Sequence, residues 1–227
     1  MKPELIVALD VDSGEKAKRL VNLLYPKVKI FKVGLQLFTA EGPAIIKWLI
    51  KKKAKVFLDL KLYDIPHTLS QTAKVIIRYG VSIFTVHLSA GKEALLEVKD
   101  TLYREAKERK IKRPWIIGVT VLTSQKEKDT NLKITELVKL AQEVGLDGVV
   151  ASVKDVPMIR RHLNKKSLIV CPGIRIEKIK DDDQKRTATL KEAKDLSVDY
   201  IVVGRPIIKA DDPLYKVEEI LREIRCP

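Results

Sequence analysis

Three charged residues set close together, Asp59, Lys61 and Asp64 in VFLDLKLYDIPHTLSQTA, are the first feature of this sequence able to do chemistry. An ammonium held beside carboxylates can stabilise a developing negative charge and then give up a proton. Side chains alternate along a strand, so Asp59 and Lys61 share one face while Leu58 and Leu60 point the other way. If that face is the inside of a barrel, the charges are costly to bury unless paired, and a satisfied ion pair serving only structure is the competing reading. Asp64 has an equally ordinary alternative. An Asp just ahead of Pro66 suits a helix N-cap, and spacing alone does not separate cap from catalyst.

A second constellation suits an anion. VVGRPI places Gly204 and Arg205 directly after an apolar run, where backbone N–H groups and a guanidinium can hold a phosphate. Arg175, in CPGIR, follows an apolar run in the same way.

These groups need elements to position them. Short β-branched runs alternate with longer segments of helical period, and eight such pairs fit the chain. Strands are expected near 4–9, 28–33, 55–60, 82–86, 114–119, 147–151, 167–171 and 199–203. Helical patterns between them include GEKAKRLVNLLY, PAIIKWLIKKK, TLSQTAKVIIRYG, KEALLEVKDTLYREAKERK, ITELVKLAQEVG and KDVPMIRRHLN. Eight alternations in 227 residues predict a (β/α)8 TIM barrel over a single domain, 1–227, because such barrels occupy roughly 200 to 250 residues. A doubly wound open sheet is the rival, but the first strand runs into ALDVDSGEK with one glycine where a Gly-rich turn is expected. In a barrel, chemistry sits at the C-terminal ends of the strands. Two long segments leave that end, VLTSQKEKDTNLK and RIEKIKDDDQKRTA, and both are expected to act as lids.

Composition narrows the classes. Hydrophobic residues make up 45% and charged residues 33%, an ordinary composition for a folded domain in water. The N-terminal MKPELIVALD lacks the pattern of a signal peptide, and no apolar stretch approaches the roughly 20 residues of a membrane span, so a cytoplasmic protein without a membrane partner is expected. Cys171 and Cys226 lack metal spacing and read as reduced thiols without chemical duty; no metal site is expected. The net charge of +14 invites a nucleic-acid reading. The cations are spread over the amphipathic segments, however, and aromatics are only 5% without clustering, so no nucleic-acid partner is expected. Abundant Lys and Glu is a pattern of proteins from hot environments, and a basic field attracts polyanionic small molecules.

The string DLKLYDIPHT (59–68) resembles the D-x-K-x-x-D-I-x-x-T signature of the orotidine 5'-monophosphate decarboxylase family. Further segments match in the family's order: ALD with Asp10, FKVG with Lys32, VTVLTS with Thr123, and PGIR, DDDQKR and VGRPI with Arg175, Gln184, Gly204 and Arg205. The match spans almost the whole chain, with His67 as a small departure where many members carry Asn. The resemblance implies loss of CO2 from carbon six of a pyrimidine nucleotide, without a cofactor, to leave UMP. It implies a homodimer in which Lys32, Asp59 and Lys61 form an alternating charge network completed by Asp64 of the other subunit, with Lys61 as proton donor.

The resemblance also implies that Asp10 binds ribose hydroxyls, that Thr123 and Thr68 contact the base and the nucleotide, and that Ile65, Lys32 and Asp59 touch substrate. Gln184 and Arg205 would grip the phosphate, with Gly204 contributing backbone and Arg175 lying close by. From the residues alone, Lys32 reads as an edge lysine and Gln184 as loop filler, while Asp10 fits a first-loop cap and a binding group equally well. His162 is expected to have no catalytic part, and neither is His87, although it falls just past the fourth strand and near the site. The nearest rival reading is a Mg2+-dependent sugar-phosphate lyase or decarboxylase of the same barrel suprafamily, which would need further carboxylates at the strand ends. A scaffolding protein would leave inward-facing charges without purpose.

Overall fold

In the computed structural model, which describes residues 2–121, 130–175 and 187–226, all eight expected strands are present and all pair in parallel. They are β1 (Glu4–Ala8), β2 (Ile30–Gly34), β3 (Lys55–Leu62), β4 (Ile83–His87), β5 (Trp115–Val119), β6 (Gly148–Val150), β7 (Leu168–Cys171) and β10 (Tyr200–Val203). The spatial order β1-β10-β7-β6-β5-β4-β3-β2 closes on itself as a barrel. Two further short strands, β8 (Ile174–Arg175) and β9 (Ala188–Thr189), pair with each other at the base of the second long loop. Residues 122–129 and 176–186 of these loops, with the lids expected there, lie outside the described residues, while 130–133, expected as loop, form the start of a helix that runs over Thr130–Val144.

Helices α1 (Gly14–Leu24), α2 (Leu35–Glu41), α3 (Pro43–Lys51), α4 (Pro66–Tyr79) and α5 (Lys92–Arg109) wrap the first half of the barrel. The second half carries α6 (Thr130–Val144), α7 (Val156–Arg160), α8 (Leu190–Asp195), α9 (Arg205–Ile208) and α10 (Pro213–Arg225). Local chemistry fixes their starts. Ser13 caps α1 by accepting from the Lys16 N–H, Thr189 and Glu192 form a reciprocal capping box on α8, and Asp212 accepts from the N–H groups of Leu214 and Tyr215 at α10. The α7 helix is shorter than its sequence pattern: a 3-10 turn occupies Val153–Asp155 and the helix ends at Arg160.

Strand alternation divides the apolar residues between two cores. Outward residues such as Val7, Phe31, Leu58 and Phe84 pack under buried helix residues such as Val21, Leu49, Leu69 and Ile77. Inward residues, among them Ile6, Ile30, Phe57, Ile83, Ile117, Val170 and Tyr200, fill the lower lumen. This apolar plug seals the N-terminal half of the barrel. The layer above it, toward the C-terminal ends, holds the buried polar side chains Lys32, Asp59 and Thr85. No helix among the described residues is long and apolar enough to cross a membrane.

Candidate active site

Barrel closure makes β1, β2 and β3 neighbours, and their C-terminal ends bring four charged groups into one row. Lys32 Nζ lies 2.8 Å from Asp10 Oδ1 and 3.7 Å from Asp59 Oδ2, and Lys61 Nζ lies 2.8 Å from that same Asp59 oxygen. The charges therefore alternate Asp10, Lys32, Asp59, Lys61. The backbone leaves room for this: a Cβ at Gly34 would stand 2.8 Å from Lys32 Nζ.

For Lys32 the reading made from the residues alone is corrected, and for Asp10 the structure removes one of two readings. Lys32 is not an edge lysine; a closed barrel has no edge, and the side chain is buried in the polar layer. Asp10 is not the first-loop cap, because Ser13 fills that role and the Asp10 carboxylate is turned to Lys32.

Asp59 is buried, and donors surround it. Its Oδ1 accepts from the Thr85 hydroxyl at 3.0 Å while its Oδ2 accepts from Lys61. Burial pushes the Asp59 carboxyl up, but the charges of Lys32 and Lys61 and the hydrogen bonds from Lys61 and Thr85 outweigh it and hold the group below the usual carboxylate range. Lys61 itself has a left-handed backbone, φ 51°, where the pairing of β3 with β4 shifts register between Leu58 and Leu62. That conformation is strained for a residue with a side chain. His87, at the end of β4, stands edge-on to Tyr63 with ring centroids 5.8 Å apart. Burial and the Lys61 charge lower its pKa against the opposing influence of Asp59, which favours the neutral imidazole.

A cavity of about 230 Å3 opens above the plug. Asp10, Lys32, Asp59 and Lys61 line one side, Phe57, Val150, Val170 and Val202 its floor, and Gly173, Arg175, Gly204 and Arg205 another side. Gly204 packs closely on the first strand, since a Cβ there would stand 3.2 Å from that of Ala8 and 3.3 Å from Asp10 Oδ2. Arg205 opens α9 immediately after it, and Arg175 is buried in β8. Among the described residues, cations outnumber carboxylates on the walls, an arrangement suited to a small polyanion with one apolar face.

Asp64 is not part of the row. It is exposed, its Oδ1 accepts from the Ile65 N–H at 2.8 Å, and it does not cap α4, whose N-cap is Ile65. Thr68, in the first turn of α4, is exposed as well, and so are Tyr63 and Ile65, each 65% accessible. Thr123 and Gln184 lie outside the described residues. Sequence reasoning missed Thr85. Its signal was a hydroxyl at an inward position of the apolar strand IFTVH.

Charged side chains gathered at the C-terminal mouth of a closed parallel barrel define an α/β-barrel enzyme. Comparison with known proteins is specific. The chain belongs to the family described as "Orotidine 5'-phosphate decarboxylase / HUMPS family", whose model matches residues 3–220. It is 43% identical to the orotidine 5'-phosphate decarboxylase of Carboxydothermus hydrogenoformans, covering 99% of this chain and 97% of that protein. It is 40% identical to that of Dictyoglomus thermophilum, covering 97% and 93%. Among solved structures, the orotidine 5'-phosphate decarboxylase of Lactobacillus acidophilus superposes with a TM-score of 0.86 at 33% identity, covering 99% of this chain and all of that one.

The depressed Asp59 pKa has a measurable consequence. The native state binds this proton less readily than the unfolded chain does, so the group stabilises the fold above the ordinary carboxylate value of 3.8, and that contribution is lost as pH falls through the native value. Denaturant unfolding near neutral pH is expected to find Asp59→Asn less stable than wild type, with the gap closing on acidification; a gap independent of pH would contradict the charge network.

Proposed function

We propose that this protein is an orotidine 5'-monophosphate decarboxylase acting on the free nucleotide, with residues 1–227 working as a single barrel domain. The observation that carries this reading is the alternating row Asp10, Lys32, Asp59, Lys61, set in the same cavity as Arg175, Gly204 and Arg205. The substrate phosphate binds to Arg205 and Arg175 and to the backbone at Gly204, together with Gln184. Asp10 and Lys32 meet the ribose, and the pyrimidine lies over Asp59 and Lys61 with Thr123 contacting the base.

The chemistry then follows from charge. The bond from carbon six to the carboxylate breaks, CO2 leaves, and the electron pair stays on the ring carbon beside the Lys61 ammonium. Lys61 stabilises that charge and passes one proton from Nζ to carbon six, giving UMP; solvent returns the proton to the amine. Reactions with such slow uncatalysed rates demand on the order of 20 kcal/mol of selective stabilisation, and preorganised charge in a site shielded from water is the largest single source of it. Asp59 keeps Lys61 aimed at the reacting atom before substrate arrives. The remote phosphate supplies binding energy that organises the reacting end.

The second subunit belongs to this reading. Asp64, Ile65 and Thr68 sit at the start of α4, exposed on a single chain and a few residues from Lys61. In the proposed homodimer they enter the neighbour's cavity, where Asp64 extends the alternating row and Ile65 and Thr68 contact the nucleotide. The exposed Tyr63 and Ile65 side chains give this segment apolar area to bury. The enzyme works in the cytoplasm, and its Lys- and Glu-rich composition suits a hot source.

A Mg2+-dependent reaction on a sugar phosphate is less well supported. Mg2+ takes oxygen ligands, usually carboxylates, whereas the charged neighbours of Asp59 are the ammonium groups of Lys32 and Lys61.

Two experiments test the reading. Purified protein in EDTA is expected to bleach the absorbance of orotidine 5'-monophosphate, and Lys61→Ala to lower kcat by about 10^4-fold, the combined scale of a lost proton donor and a lost charge. A folded wild-type protein that turns over only sugar phosphates, with Mg2+ restored, would move it to the rival class. For the shared site, Lys61→Ala and Asp64→Ala homodimers, each inactive, are mixed and allowed to exchange subunits. Recovery of about a quarter of wild-type activity is expected, since half the dimers are mixed and each has one intact site; no recovery would place Asp64 outside its neighbour's site.

A further inference from the structure

We infer that Thr85, a residue of the neighbouring strand that needs no contact with substrate, is a positioning residue for the decarboxylation proposed above. The inference rests on that reading of the site and on a break in the sheet beneath it. Strands β3 and β4 pair regularly at Phe57 with Ile83 and at Leu58 with Phe84, then resume at Leu62 with Val86. Between those pairs β3 supplies Asp59, Leu60 and Lys61, while β4 supplies Thr85 alone. The two surplus residues cannot follow the ladder. They are accommodated by a bulge whose last member, Lys61, takes the left-handed backbone with φ 51°.

A bulge leaves backbone groups without their ladder partners. Here the Lys61 N–H donates to the Thr85 hydroxyl oxygen at 2.9 Å. Because that oxygen already accepts, its single proton is free to point elsewhere, and Asp59 Oδ1 lies 3.0 Å away to receive it. Thr85 is fully buried, so no solvent competes for either bond. One hydroxyl therefore does two things. It fixes where the backbone of the proton-donating lysine sits, and it orients the carboxylate so that the other oxygen, Oδ2, meets Lys61 Nζ at 2.8 Å.

The geometry accounts for a polar residue at this depth. Its inward neighbour below, Ile83, belongs to the apolar plug, and Val86 and Phe84 pack outward against helices. Valine in place of Thr85 would match its shape and remove both bonds, leaving a strained Lys61 without its anchor and Asp59 free to rotate. Serine would keep both bonds and lose only a methyl group. The Thr85 hydroxyl bonds to Lys61 and Asp59, whereas the phosphate side of the cavity is built from Arg175, Gly204 and Arg205.

The test compares Thr85→Val and Thr85→Ser with wild type in the decarboxylation of orotidine 5'-monophosphate, together with the affinity of each for UMP. The expected result is a fall in kcat of roughly 100-fold for Thr85→Val, the scale of a reacting group displaced by about 1 Å. UMP affinity should stay within about threefold, and Thr85→Ser should restore most of kcat. Hydrogen exchange on the wild-type protein gives a second readout that needs no variant: the Lys61 amide is expected to be protected despite lying in a bulge. Wild-type kcat in a folded Thr85→Val protein would overturn the inference, as would a serine variant as slow as the valine one, or an unprotected Lys61 amide. A wild-type protein that does not decarboxylate the nucleotide would instead refute the function itself, and this role with it.

Discussion

One buried carboxylate organises the mouth of this barrel. Asp59 sits where water is scarce, and a charge there is tolerable only if it is matched. The protein matches it twice over, with the Lys61 ammonium at 2.8 Å, the Lys32 ammonium at 3.7 Å and a hydroxyl from Thr85. Each partner is constrained in turn. Lys32 is held by Asp10, and Lys61 by a backbone that only its surroundings can keep in a left-handed conformation. Removing Asp59 would leave the Lys32 and Lys61 ammonium groups facing each other with only Asp10, beyond Lys32, to match them, so the row stands or falls as a unit.

The fold supplies what the row requires. An apolar plug closes the lumen below it, which keeps the local dielectric low and makes each charge count for more. Parallel closure places β1 between β2 and β10, so the charged row and the Gly204–Arg205 turn face one cavity although Gly204 comes 145 positions after Asp59 in the sequence. Small residues do the fitting: Gly34 leaves space for the Lys32 ammonium, and Gly204 lets the last barrel strand approach Ala8 and Asp10. Stability and function are coupled here, because the strain at Lys61 is held in place by the same contacts that aim its side chain.

Much of this was legible in the sequence, and the limits are physical. The eight strands could be read because parallel strands covered on both faces are short continuous apolar runs. Asp59 and Lys61 could be read because charges at spacing two in such a run must share the inner face. Lys32 could not, since a single lysine at a strand end looks the same on an exposed edge as in a closed barrel; only the family motif singled it out. Asp64 invited an N-cap reading that the backbone does not adopt, the helix starting one residue later than the Asp-Pro spacing suggested. Thr85 was overlooked because its importance arises from a register shift between two strands, which neither strand's own pattern reveals.

Two ammonium groups hold Asp59 ionised in the protein before substrate binds. The most direct measurement is the carbon-13 NMR titration of its side-chain carboxyl in the substrate-free protein, repeated with Lys32→Ala and Lys61→Ala. A midpoint below 3.8 that rises in both variants is the predicted result. A midpoint at or above 3.8 in the wild-type protein would mean that burial prevails over the lysines and that the charge row is not preorganised.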